Sequence, residues 1–229
     1  MAMYRLATLL FLGGLVFLLF VISGQLSFGD PPMLIGDAIQ RTAAEQVGAA
    51  NFVTAVVLGY RGLDTLGELS ILFAAATAGG LVLGGARRRH ASPAGQILCS
   101  GADLLFPLLL VVGLYIVLHG HLTPGGGFQG GVILAAAFFL PLLARPGETL
   151  NHTWMALIEG LAGSAFIALG IVALIDDRAF LTPLFDKGVL GELVSSGSLP
   201  LLYLAVGLKV GAELASLLIR LASDDEVAS

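Results

Sequence analysis

Three ionisable residues stand inside long hydrophobic runs of this chain: Glu159, Lys209 and Glu213. A charge at the centre of a membrane helix costs ~2.5–3.5 kcal/mol or more, so such groups are functional candidates by default. Lys209 and Glu213 are four residues apart and share one helix face. Glu159 lies on the preceding run. At ~1.5 Å of rise per residue, both acids sit roughly 10 Å inside the same boundary. One lysine could therefore serve two carboxylates at matching depth. A desolvated lysine between two acids can titrate far from its ordinary pKa, which is how proton relays are built. The alternative is a neutralised cluster that fixes helix packing, with the lysine pairing one acid and the other protonated.

A second concentration of chemistry is HGHLTPGGGFQGG, from His119 to Gly131, between two apolar runs. His119 and His121 are two apart at a helix end. Their spacing could serve metal binding, but no third ligand is evident, and no metal site is assigned. Histidine titrates near neutral pH, so proton acceptance at a channel mouth is possible. Hydrogen bonding to broken backbone is the other reading. Pro124 stops a helix, and small residues four apart (Gly126 and Gly130, Gly127 and Gly131) favour close helix packing. A third group lies in YRGLDTLGE, where Arg61, Asp64 and Glu68 frame a helix start. Arg61 and Asp64 should pair and order the loop, or form a charged port for a cation.

The elements that must position these groups follow from composition. The chain is 57% hydrophobic and 12% charged, with a mean hydropathy of +0.94. A soluble domain holds about 45–50% apolar residues, so an all-α polytopic membrane protein is expected, lying in the cell (inner or plasma) membrane. About six spans near the ~20-residue crossing length are legible. They run over 4–22, 65–85, 101–118, 128–144, 154–175 and 199–220. Residues 51–60 are apolar but too short to cross, and read as an interfacial or re-entrant helix or an extension of the second span. Thr65 with Glu68 and Ser100 with Asp103 read as capping boxes, and Ser198 before Pro200 as a cap with first-turn proline. A net charge of -5 without a long basic block gives no sign of nucleic-acid binding. The single cysteine, Cys99, forms no internal disulfide and reads as a small apolar filler.

Arg5, Arg87, Arg88, Arg89, Arg145 and Arg220 flank alternate span ends, which puts both termini in the cytoplasm by the positive-inside rule. Asp176, Asp177, the 23–64 loop and the HGHLTPGGG segment then face outside. The 89–95 stretch, with Ser92, Pro93 and Gly95, reads as a linker. The expected organisation is a two-span module with its outer loop (1–90), a four-span domain (96–222) and an acidic tail (223–229).

The stretches LLFPLLLVVGLYIVLHGHLTPGGGFQGGVILA and SSGSLPLLYLAVGLKVGAEL, within Leu98–Arg220, resemble the B subunit (MnhB-type domain) of Mrp-type multisubunit sodium/proton antiporters. GAANFVTAVVLGYRGLDTLGELSILFAA resembles the small module at the carboxyl end of that antiporter's large A subunit. The same module occurs as the E subunit of membrane-bound hydrogenase complexes. The resemblance implies membership of a hetero-oligomeric assembly, related to the membrane arm of respiratory complex I, that exchanges Na+ for H+. The partners would be other subunits of that complex and the lipid bilayer, with no cofactor on this chain. It also implies that Gly125, Gly126, Gly127, Gly130 and Gly131 are interface residues, and it places Lys209, Glu213, Arg61, Asp64 and Glu68 within matching stretches. Glu159 lies between them and rests on depth alone.

Three functions follow: an antiporter subunit assisting ion movement, an ion-pumping subunit of a redox complex such as a membrane-bound hydrogenase, or a structural scaffold. The chain has no cysteine cluster or flavin motif, so redox chemistry would reside in partners.

Overall fold

The computed structural model describes residues 2–25, 33–83, 94–145, 151–175 and 177–223. Arg87, Arg88, Arg89 and Asp176, most of the expected linker and nearly all of the acidic tail lie outside the described residues. The chain divides into two compact units, Met1–Ala38 and Ile39–Ser229. The first contains α1 (Ala2–Gln25) and the start of α2 (Leu34–Val47). Helix α1 is apolar all round, with Leu9, Phe11, Phe17 and Phe20 exposed, as suits a helix surrounded by lipid or by other apolar surface.

The second unit holds the rest of α2, a short turn α3 (Phe52–Thr54), a π-helical turn (Ala55–Tyr60), and five long helices. These are α4 (Gly62–Leu83), α5 (Gln96–Leu118), α6 (Gly127–Ala144), α7 (His152–Ile175) and α8 (Leu199–Ser223). No strand occurs among the described residues. Six helices, α1 and α4–α8, are long and apolar enough to cross a membrane. Helix α8 is the hub: it packs against α4, α5, α6 and α7. Of its apolar window 61% is buried, against 39% for α6 and 22% for α7.

Small residues explain how α5, α6 and α8 come so close. A Cβ on Gly127 would meet the Tyr203 carbonyl at 2.8 Å, one on Gly131 the Gly207 carbonyl at 2.9 Å, and one on Gly130 the Gly113 carbonyl at 2.8 Å. With no hydrophobic drive between helices in lipid, such backbone approach supplies the dispersion contact that holds them. The structure thus redirects the expectation for the glycine motif. Gly126, Gly127, Gly130 and Gly131 are buried against helices of this same chain, which leaves almost none of their surface for another subunit.

Other expectations are also corrected. Residues 34–47 form a helix where a loop was expected. Helix α5 begins at Gln96 with Gly95 as its N-cap, so Ser100 does not cap it. Asp103 instead accepts from Arg145 Nη2 at 2.5 Å, tying the starting end of α5 to the last turn of α6. Helix α4 begins at Gly62, and Thr65 Oγ1 donates to the Val57 carbonyl at 3.0 Å, within the π-helical turn. The Ser198 hydroxyl accepts from the Leu184 amide at 3.2 Å rather than capping α8. Residues 51–60 form the short α3 turn and the π-helical turn, and Arg61, with non-helical dihedrals, separates them from α4. Cys99 Sγ lies 3.3 Å from the Ala94 carbonyl.

Candidate functional site

Glu159, Lys209 and Glu213 meet where α4, α7 and α8 pack together. Lys209 Nζ donates to Glu213 Oε2 at 2.9 Å and lies 3.9 Å from Glu159 Oε1. The i, i+4 spacing on α8 makes the first pair inevitable once the helix forms. The second needs α7 beside it. Gly163 on α7 lies against the lysine stem, where a Cβ would stand 3.5 Å from Lys209 Cδ, an ordinary contact distance. The ammonium also sits 5.1 Å from the centre of the Phe73 ring of α4, within cation–π range. Side-chain exposure is 9% for Lys209, 2% for Glu213 and 23% for Glu159, so the lysine and Glu213 are desolvated while Glu159 keeps an open side.

Two clefts converge on Glu159. One, of about 300 Å³, is lined by Thr77, Gly80, Glu159, Glu213, Ser216 and Arg220 among others. The second, of about 340 Å³, is lined by Leu66, Ser70, Phe73, Glu159, Ser164 and Lys209 among others. Lys209 faces one cleft and Glu213 the other, so their ion pair forms the wall between them. A cluster with two acids, one base and hydroxyl-bearing walls can exchange protons or hold a small cation.

The other expected residues lie elsewhere. Arg61 Nε and Asp64 Oδ2 pair at 2.5 Å on the surface at the start of α4, and Glu68 is exposed on the next turn. Asp64 is nine residues before Phe73, roughly 13 Å along the axis, so these charges do not join the cluster. His119 stacks on Tyr115 with ring centres 4.1 Å apart and lies 3.1 Å from the Tyr115 carbonyl through Nδ1. His121 is fully buried, and neither ring nitrogen has a hydrogen-bond partner. Burial lowers its pKa below the ordinary value of 6.5; nearby main chain of Glu192 and Leu193 opposes this, and His119 adds weakly to it.

The domain related to the MnhB subunit of Na+/H+ antiporter matches residues 97–216. The chain belongs to the MnhB family. Within that family, a Staphylococcus aureus protein designated mnhB2 is 33% identical over 107 residues, 46% of this chain and 71% of its own length. Solved structures extend the likeness beyond the MnhB domain. A chain of the membrane-bound sulfane sulfur reductase, an archaeal respiratory membrane complex, is 35% identical. Its TM-score is 0.84 over 97% of this chain and 100% of its own. A chain of the Mrp complex from Dietzia sp. DQ12-45-1b is 25% identical with a TM-score of 0.73, covering 97% of this chain and 26% of that longer one. This chain therefore spans about a quarter of its Mrp counterpart.

A clasp that was not among the expected site features holds the MnhB glycine loop. The Asn51 amide donates to the His121 carbonyl at 3.0 Å, and its side-chain Nδ2 donates to the carbonyls of Gly120 at 2.8 Å and Thr123 at 2.9 Å. Tyr203 OH donates to Thr54 Oγ1 at 2.7 Å, and Thr54 Oγ1 to the Gly120 carbonyl at 2.5 Å. Polar residues at 51 and 54 amid apolar neighbours were the available signal, because a buried hydroxyl or amide needs partners.

Proposed function

We propose that the chain is an integral-membrane subunit of a multisubunit monovalent cation (Na+)/proton antiporter complex, with both termini cytoplasmic, and that it contributes to the ion route. It acts as part of a secondary transporter and carries no catalytic chemistry of its own. The organisation proposed is a two-span module over 1–90 followed by the four-span MnhB domain over 96–222. The observation that carries the ion-route reading is the desolvated Lys209–Glu213 pair with Glu159 at 3.9 Å, between two clefts in otherwise apolar helices. A charged cluster is costly there, and well-packed apolar residues often replace a buried ion pair without loss of stability. A role in moving ions accounts for placing such a cluster there.

The test is Na+- and pH-driven exchange in inverted membrane vesicles carrying the whole complex, wild type against Glu213→Gln, with assembly checked on native gels. Lost exchange in an intact complex supports the reading. Unchanged exchange reduces the cluster to a packing device and favours a scaffold.

A second reading has an observation of its own. The respiratory sulfane sulfur reductase chain matches from end to end, both modules included. On that reading the same subunit moves ions in a redox-driven complex whose electron carriers lie in other subunits. Genes for redox subunits beside this one, or ion pumping driven by an electron donor, would select it.

A further inference from the structure

Glu213 has one oxygen that the ion pair leaves unused. Oε2 accepts from Lys209, while Oε1 is buried and has no hydrogen-bond partner, and the residue lines the cleft that Thr77, Ser216 and Glu159 also line. A buried carboxylate oxygen without a donor is strongly disfavoured unless something positive occupies the space before it. The charged groups lining that cleft are Glu159 from α7 and Glu213 and Arg220 from α8, with Lys209 paired to Glu213 from the neighbouring cleft; α4 contributes Thr77 and no titratable group. Arg220 lies seven residues on, about 10 Å along the axis, and its head group reaches the Gly80 carbonyl at 3.3 Å. With both carboxylates ionised, the inner trio of two acids and one ammonium carries one uncompensated negative charge.

We propose that this cleft is a monovalent-cation site in which the carboxylates of Glu213 and Glu159, with the hydroxyls of Thr77 and Ser216, hold either one small cation or one proton. The proposal rests on the ion-route reading and gives it a ligand. One positive charge makes the trio neutral. Two, or a single divalent ion, would leave a buried net positive charge, which low-dielectric surroundings penalise. All candidate ligands are oxygens, which suits a hard cation such as Na+. Binding is then an exchange: the carboxylic acid releases its proton to water as the cation takes its place beside the carboxylate. Competition for a single vacancy couples the two ions without requiring a large conformational change.

The experiment measures proton release from the purified complex in weakly buffered detergent solution on addition of NaCl, with choline chloride and CaCl2 as controls. Wild type should release protons with NaCl alone. Glu213→Gln should release about one proton fewer per complex, because the ligand that must deprotonate is gone. The double variant Thr77→Val/Ser216→Ala keeps every charge and should raise the NaCl concentration for half-maximal release by about tenfold. It decides the matter if Glu213→Gln fails to assemble. Release unchanged in both variants, or equal release with CaCl2, overturns the site. Lost vesicle exchange in Glu213→Gln with unchanged proton release would sink the site and keep the ion route. Reduced release with normal exchange would keep the site and sink the route.

Discussion

Gly130→Ala isolates the packing that holds the MnhB domain together. The added methyl would collide with Val117 Cγ2, stand 2.8 Å from the Gly113 carbonyl oxygen and 3.0 Å from the Val117 amide nitrogen. Two of those three atoms are backbone of α5, so no rotamer change relieves the clash and the helices must separate. Overpacking of this kind costs about 1–3 kcal/mol. Alanine returns up to about 1 kcal/mol through its higher helix propensity. The expected net is a loss of up to about 2 kcal/mol, or up to roughly 8 °C in Tm for a chain of this size. Gly113→Ala makes a graded comparison, because its methyl would mainly meet the movable end of the Leu134 side chain at 2.9 Å; it should cost less. Gly101→Ala, on α5 with nothing within 4 Å, should cost nothing or stabilise slightly. The assay is thermal unfolding of the detergent-solubilised protein, read by loss of the monodisperse peak on size exclusion. A Gly130→Ala protein as stable as Gly101→Ala would refute the close-approach argument.

Further outcomes follow from the site and the clasp. Lys209→Leu strands two carboxylates and should destabilise by about 3–5 kcal/mol, whereas Lys209→Leu/Glu213→Leu should recover most of that loss in the same melt, as buried pairs do when both partners go. Asn51→Ala removes the side-chain donor from the Thr123 carbonyl and one of two from the Gly120 carbonyl, which keeps Thr54 Oγ1, and should cost about 1–3 kcal/mol; wild-type Tm would dismiss the clasp. His121 has its pKa lowered by burial, so the unfolded chain takes up a proton at a higher pH than the folded one. Stability is therefore full above the ordinary 6.5 and falls as pH drops through it towards the lowered folded value. His121→Phe should flatten that part of the pH–Tm curve, and an equal slope in both proteins would count against it.

Much of the architecture was written in composition. All six spans begin within five residues of their expected positions, because a run of apolar residues about 20 long admits few alternatives in a bilayer. Helix α2 escaped because its mean hydropathy is low, although Ile35, Ile39, Ala43 and Val47 recur every fourth residue, which is a helical stripe. The capping boxes misled because the same residue types serve other partners at a distance: Asp103 found Arg145, forty-two positions away, and Ser198 found Leu184.

For the candidate site the division is sharper. Helix periodicity alone determined that Lys209 and Glu213 share a face, and depth counting put Glu159 at their level. Only the tertiary structure decided that α7 and α4 stand beside that face, that Oε1 of Glu213 is left without a donor, and that two clefts converge on Glu159. The glycines tell the same story. Sequence required close packing of some helix against them, but which helix was chosen depends on how α5, α6 and α8 interlock. Local periodicity is a property of one element, whereas partner choice is set by the combined shape of several surfaces.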